Sequence, residues 1–317
     1  MEGLVFMSKL FSIGELIIDF QSVGTGSLKE TKQFVKNAGG APANVCVQAV
    51  KLGQKAVYLT KVGNDGFGDF LIDSLKKENV DVRFITKSSQ YDTSLAFVSF
   101  KEDGEREFTF YRKTAADLYF TPEDFKEVTF SKNDILEFGS VALKTKEARQ
   151  AHDYLIQKAK ASGALIAFDP NLRFNLWENL EDLRQVVRTY LSVADIIKIG
   201  SDELEFVYGK EHEVVKQLFT GNLKLLLVTY GSKGARLYLA DGSSFYHPGY
   251  QVKAIDTTGA GDSFFGAFLA ELLETGIAAC NLENALDMAC RCGAYTTTGY
   301  GAIPAMGDKK TVLKEIK

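Results

Sequence analysis

The stretch Asp256-Thr257-Thr258-Gly259-Ala260-Gly261-Asp262 has the residue types and spacing that most directly suggest chemistry. It runs into Ser263-Phe264-Phe265-Gly266-Ala267-Phe268-Leu269-Ala270, where Phe264, Phe268 and Leu272 recur every four residues, as on one face of a helix. A helix start presents unpaired N–H groups and the positive end of the helix dipole. Gly259 and Gly261 have no side chain to keep an anion from those groups. Two readings of Asp262 stand. It complements the dipole, or it is the base for a hydroxyl attacking a phosphate held by the turn at Thr258, Gly259, Ala260 and Gly261.

A second glycine-rich entry, Asn37-Ala38-Gly39-Gly40-Ala41-Pro42-Ala43-Asn44, also leads into a helical pattern. Paired glycines permit close backbone approach, and Asn44 offers both a donor and an acceptor to a hydroxylated ligand. Alone, the segment reads more often as a plain helix entry than as a site. Val228-Thr229-Tyr230-Gly231-Ser232-Lys233-Gly234 follows an apolar strand-like run. It is either a strand-to-turn connection or part of a ligand site at the carboxyl end of a parallel strand. The P-loop, the strand-to-helix G-x-G-x-x-G and the G-x-S-x-G nucleophile elbow are absent from the sequence.

These segments need elements to position them. Short apolar runs at residues 10–13, 56–60, 135–138, 164–168, 196–199 and 225–228 do not alternate in polarity. Helical patterns lie between several of them, at residues 43–52, 67–78, 146–162 and 183–191. This arrangement predicts a parallel sheet buried on both faces by helices. Residues 16–34 and 93–112 break the rhythm. In the second region, two strand-like runs flank Asp103-Gly104, a strong hairpin signal. We expect a small antiparallel excursion that leans on the core or on another subunit. Further strands are predicted at residues 236–239, 245–246 and 251–254.

Composition narrows the function. The chain has 317 residues, a net charge of −4 and no Lys/Arg run, which disfavours nucleic acid as a partner. No apolar stretch approaches the length of a membrane span, and we expect no membrane partner. Residues 1–6 do not read as a targeting segment, and the cytoplasm is the expected location. Four cysteines, Cys46, Cys280, Cys290 and Cys292, lack the spacing of a zinc or redox site and read as small core hydrophobes. His152 lies in a polar helical stretch and is expected at the surface.

Taken together, Gly39-Gly40…Asn44 and Asp256…Gly259-Ala260-Gly261-Asp262 resemble the two signatures of the ribokinase-type (PfkB) carbohydrate kinases. The resemblance runs from about Phe11 to Pro304 and is strongest to the fructokinase branch. Residues 14–20, 39–45, 61–68, 104–108, 111–112, 168–173, 176–177 and 194–198 carry that likeness. It implies a ribokinase-like three-layer α/β/α core with a mainly parallel sheet plus a small antiparallel β lid. The core would comprise residues 1–14, 38–90 and 116–317, and the lid residues 15–37 and 91–115.

The resemblance also implies the reaction, ATP-dependent phosphorylation of a sugar hydroxyl, with D-fructose as acceptor. Asp262 would be the base and residues 258–261 the anion hole. Asp19, Gly39, Gly40, Asn44, Tyr111 and Arg112 would bind the sugar. Asn171, Arg173, Lys198, Thr229, Gly231, Gly234, Gly259 and Gly261 would hold ATP. Glu203 would organise Mg²⁺ through water, and Asp256 and Thr258 a monovalent cation, K⁺. The partners implied are a sugar, ATP and a second copy of the chain joined through the lid. Alternatives within the family are a 2-keto-3-deoxygluconate kinase, which shares the Tyr-Arg pattern, or another sugar or nucleoside kinase. Outside enzymology stands a sugar-binding regulator on a kinase scaffold. Gly200 replaces the family's Asn in its Asn-x-x-Glu motif, and Ala41 replaces the Lys of ribokinase's Gly-Gly-Lys, which counts against ribose.

Overall fold

The computed structural model describes residues 8–100 and 106–317; residues 1–7 and the expected Asp103-Gly104 turn lie outside the described residues. The chain opens with β1 (Lys9–Ile13), β2 (Ile17–Thr25), β3 (Phe34–Gly39), α1 (Ala41–Lys51), β4 (Lys55–Gly63), α2 (Gly66–Lys77) and β5 (Asp81–Ser88). Next come β6 (Ser94–Phe100), β7 (Arg106–Tyr111), β8 (Ile135–Gly139), α3 (Lys146–Ser162), β9 (Leu165–Asp169), α4 (Leu180–Leu191) and β10 (Ile196–Gly200). The remainder is α5 (Ser201–Val207), α6 (Glu211–Leu218), β11 (Leu225–Thr229), β12 (Ala235–Leu239), β13 (Ser244–His247), α7 (Ala260–Thr275), α8 (Leu282–Thr296) and α9 (Lys309–Glu315).

Nine strands form one sheet in the order β13-β12-β11-β10-β9-β8-β1-β4-β5. It is parallel from β11 to β5, with β12 and β13 antiparallel at one edge. The apolar runs do not alternate because both faces are covered. Leu10, Tyr58, Ile135 and Ala167 join the cluster built with α1, α7 and α8, while Phe11, Leu136, Phe138 and Phe168 join that of α3 and α4. These are the three layers expected. Helix α7 is buried at nearly every position from Asp262 to Leu273, as a helix apolar all round must be.

The second sheet has the order β3-β2-β6-β7. Its two hairpins, β2/β3 and β6/β7, are antiparallel, and a parallel β2–β6 pair joins them. Strand alternation sends Asp19, Gln21, Val98 and Phe110 toward a cleft above the large sheet. Leu95, Phe97, Thr109 and Tyr111 go to the outer face.

Two local expectations are corrected. Residues 251–254 form no strand. They are mostly exposed, and β13, paired with β12, is the edge strand of the sheet among the described residues. His152 is fully buried, its Nδ1 2.7 Å from the Ala148 carbonyl and its ring against Phe120, Phe138 and Tyr190. It shares the stripe of α3 that holds Ala148, Ala151, Leu155 and Ala159, so the helical period outweighs its polar neighbours. Strand β5 and helices α5 and α6 were not anticipated. Of the cysteines, Cys46, Cys290 and Cys292 are buried thiols and Cys280 is half-buried.

Candidate active site

The two glycine-rich entries meet. Asn44 in the first turn of α1 donates from Nδ2 to Asp262 Oδ2 at 2.8 Å, bridging 218 residues of sequence. Helices α1 and α7 pack side by side, and Ser263 Oγ donates to Gln48 Oε1 at 2.8 Å one turn along. The glycines make this approach possible. A Cβ on Gly39 would lie 2.0 Å from Asp19 Oδ2, and one on Gly40 would lie 2.2 Å from the Glu15 carbonyl oxygen. Gly40 also holds φ at 121°, a value that L side chains rarely adopt.

At the other entry, Asp256 builds the turn. Its Oδ1 accepts from the Thr258 N–H at 2.9 Å and from Thr258 Oγ1 at 2.6 Å, and its Oδ2 accepts from the Gly301 N–H at 2.9 Å. Gly259 takes φ 75°, with Ala302 where a Cβ would sit. The Thr258 N–H is committed to Asp256, and that of Ala260 donates to the Thr257 carbonyl at 3.4 Å. Of the residues expected to form an anion hole, Thr258 and Ala260 thus have acceptors for their N–H groups within the turn, and Gly259 and Gly261 stand at the start of α7. Lys198 adds a cation there, since a Cβ on Gly261 would lie 3.0 Å from its Nζ. Its ammonium pairs with Asp169 Oδ2 at 2.8 Å. Burial pulls the Lys198 pKa down, but Asp169 and Glu203 outweigh it and hold it above its ordinary value.

These groups line a cleft of about 660 Å³ that also takes in Glu15, Asp19, Arg112, Asn171 and Arg173. Burial raises the Asp262 carboxyl above its usual range, opposed by the Asn44 hydrogen bond and by Lys198 and Arg173. Burial, with the nearby Asp262 and Asp256, pushes Asp19 up to about 7 against the pull of Arg173. Burial likewise carries Glu15 to about 7 against Arg112. Glu15 Oε1 accepts from the Ala41 N–H at 3.1 Å, at the start of α1.

A second cavity, of about 690 Å³, opens at the carboxyl ends of β10 and β11 and is lined by Gly200, Ser201, Glu203, Thr229, Tyr230, Gly231, Lys233, Arg236 and Tyr246. Between the two cavities, Asn171 adopts φ 43° and the Leu172 N–H donates to Glu203 Oε1 at 2.6 Å. The other oxygen of Glu203 accepts from the Gly200 N–H at 2.9 Å.

Two expected site residues lie elsewhere. Tyr111 is 64% exposed on the outer face of the small sheet, its ring 5.6 Å from that of Phe97. Its neighbour Phe110 lines the cleft instead, because successive strand residues face opposite ways. Gly234 does not line either cavity. A Cβ there would lie 1.9 Å from the His247 carbonyl oxygen, so it is a glycine of close packing between β12 and β13. Conversely, Glu15, Asp117 and Asp169 had not been singled out as site residues. Asp169 ends the Phe168-Asp169-Pro170-Asn171 stretch at a strand terminus, a signal that could have found it.

The pfkB family carbohydrate kinase profile matches residues 7–309. The chain belongs to this family. It is 41% identical over 315 residues to a probable fructokinase-5 of Arabidopsis thaliana, covering 97% of each chain. It is 39% identical over 318 residues to fructokinase-2 of Solanum lycopersicum, covering 97% of this chain and 96% of that one. Among solved structures, it is similar to a double mutant of fructokinase from Vibrio cholerae O395 bound to fructose, ADP and potassium ion. There the TM-score is 0.89, with 31% identity over 98% of this chain and 99% of that one. The chain is thus a carbohydrate kinase of three-layer α/β architecture. Among the described residues, no helix is long and apolar enough to cross a membrane.

Proposed function

We propose that this kinase transfers the γ-phosphoryl group of ATP to D-fructose, making D-fructose 6-phosphate. The observation that carries the reading is the place of Asp262. Its carboxylate lines the cleft in the first turn of α7, oriented by Asn44 and flanked by the Gly261 and Lys198 that face an incoming phosphate. Phosphoryl transfer asks for alignment and charge stabilisation rather than covalent help. Asp19, Asn44 and the backbone at Gly39-Gly40 hold the sugar. Asn44 occupies Asp262 Oδ2, leaving Oδ1 to take the hydroxyl proton late, once the new P–O bond has made it acidic. The Gly259 and Gly261 N–H groups and Lys198 take up charge on the transferred group.

ATP lies across the second cavity, with Thr229 and Gly231 along it and Asn171 and Arg173 toward the phosphates. Among the described residues, no cluster of three His, Cys, Asp or Glu forms a metal cage. That suits Mg²⁺ held by phosphate and water, with Glu203 as the anchoring carboxylate; Mg²⁺ supplies charge neutralisation to the phosphates. The Asp256 carboxylate and Thr258, at the hinge of the turn, fit a monovalent cation such as K⁺.

Fructose is preferred over a sugar acid because two of the three cations that line the cleft are matched by acids, and the third, Arg173, acts on the carboxylates of Asp19 and Asp262. Arg112 is paired with Asp117 and Lys198 with Asp169, while Glu15, Asp19 and Asp262 face the cleft. Residues 15–37 and 91–115 act as a lid over a core of residues 1–14, 38–90 and 116–317. The apolar hollow of Leu28, Phe34, Leu95, Phe97 and Tyr111 on the lid's outer face suits a homodimer. ATP as donor and four free thiols fit a cytoplasmic location.

The test is phosphate transfer from ATP across fructose, other hexoses, 2-keto-3-deoxygluconate, ribose and nucleosides. The expected outcome is a kcat/KM for fructose at least about 100-fold above that for the keto-deoxy acid. Preference for the acid, or no transfer to any sugar, overturns the reading.

A further inference from the structure

Of the cations that line the cleft, Arg112 has a dedicated counter-ion on the core side of the lid hinge. Arg112 follows the last residue of β7 and is 6% exposed; Asp117, in the short turn beyond it, is 1% exposed. Asp117 Oδ2 accepts from Arg112 Nε at 2.9 Å and from Nη2 at 2.7 Å. The other Asp117 oxygen accepts from Ser94 Oγ, on the first residue of β6. Arg112 Nη1 donates to the Val141 carbonyl at 3.0 Å. One carboxylate therefore ties the start of one lid strand to the end of the next and holds the guanidinium in a fixed plane. Three of the five guanidinium donors are committed, and Arg112 still lines the cleft.

We infer that Asp117 determines substrate preference: by pairing with Arg112, it turns a cation that would select an anionic sugar into a donor for the hydroxyls of a neutral one. The inference rests on the sugar-kinase reading and names the residue behind its specificity. A buried unpaired guanidinium attracts a carboxylate strongly, because little solvent screens it. With Asp117 in contact, the pair presents a dipole to the cleft rather than a free positive charge. What remains of Arg112 for the ligand is directional hydrogen bonding, which a polyol satisfies. Asp117 touches no substrate in this scheme; it is a positioning residue that acts through Arg112.

The experiment compares kcat/KM for fructose and for 2-keto-3-deoxygluconate in the parent, Asp117→Asn, Asp117→Glu and Ser94→Ala. Asp117→Asn should lower the fructose-to-acid ratio by at least about tenfold, through opposite changes in the two sugar KM values, with the KM for ATP unmoved. Ser94→Ala loosens the same carboxylate but leaves the charge pair, and should keep the ratio. An unchanged ratio in a folded Asp117→Asn protein overturns the inference, as does an equal shift in Ser94→Ala. If Asp117→Asn does not fold, Asp117→Glu decides. It keeps the charge but displaces the guanidinium, so the KM for fructose should rise without any gain for the acid, and a parental KM overturns the proposal. A parent inactive on fructose would refute the proposed acceptor instead; calorimetric dissociation constants of the two sugars, in parent and Asn variant, then supply the same ratio.

Discussion

Along β8, β9 and β10 of the nine-stranded sheet, ionisable side chains are sealed inside: Glu137, Asp169 and Lys198 are all less than a tenth exposed. Burial holds the Glu137 carboxyl well above its ordinary range. In the four-stranded sheet, polar side chains such as Asp19 and Gln21 face an open cleft, and rings collect on the outer side. Phe97 stacks on Phe20 with centroids 4.8 Å apart and meets Phe34 edge-on at 5.2 Å. The large sheet sets Lys198 and Asp169 2.8 Å apart, which suits electrostatic stabilisation. The small sheet meets α2 through side chains, Phe20 edge-on to Phe67 and Lys36 over the Phe70 ring, and no strand pairing joins it to the large sheet among the described residues, which suits opening and closing.

The sharpest way to break this contrast is at the core side of the cleft. Asp262→Asn keeps the size of the side chain and a hydrogen bond toward Asn44 after an amide flip, so the fold should survive. If the carboxylate accepts the hydroxyl proton, kcat should fall by roughly 10²–10⁴-fold with little change in the KM for ATP. Steady-state kinetics with circular dichroism as a fold check decide it. A rate within about threefold of the parent removes Asp262 from proton transfer and returns it to the alternative reading, a complement to the helix dipole.

The same contrast explains what could be read from sequence. The core strands were legible because burial on both faces leaves unbroken apolar runs, as at residues 196–199 and 225–228. Asp262 and Asn44 were legible because glycine-rich helix entries are local. Tyr111 was misplaced because the side a lid residue faces depends on register. The pairings Phe97 with Thr109 and Leu95 with Tyr111 put Tyr111 outside, and no local signal shows that. Asp117 carries no signal at all, since a lone carboxylate gains meaning only from the Ser94 and Arg112 brought to it. Gly234 looked like a ligand glycine because a turn after a strand and a packing glycine have the same sequence appearance.

His152 tests the rigid side by pH. Burial lowers its imidazole pKa from 6.5 to about 4. A depressed histidine is neutral in the folded protein, while the unfolded chain binds a proton below 6.5. The unfolded state thus binds more protons between the two values, and stability falls as pH drops through that window. The contribution is fully present above 6.5 and is lost toward 4, amounting to at most about 3 kcal/mol. His152→Leu should flatten the slope of urea-unfolding free energy between pH 6.5 and 4.5 relative to the parent. Superimposable slopes would show that other groups carry the acid sensitivity.

The mildest effect is expected on the open side and needs no substitution. Beside β6 and β7, the ties to the core include the Thr93 N–H and Oγ1 donating to Asp65 at 3.0 and 2.9 Å, the Ala116 N–H bond to the Asp92 carbonyl at 2.9 Å and the Asp117 tie. Strands β8 and β9 sit in the middle of the large sheet with helices on both faces. Local opening is easier where few buried apolar contacts must break. Amide hydrogen exchange should therefore be faster over residues 94–99 and 107–111 than over residues 135–139 and 165–169. Adding saturating fructose should slow the first pair several-fold and leave the second nearly unchanged if the sugar, as proposed, spans Asp19 on the small sheet and Asn44 and Asp262 on the core. Equal slowing in both sheets would mean that the ligand tightens the whole molecule. No slowing in β6 and β7 would mean that the small sheet is not the part that closes.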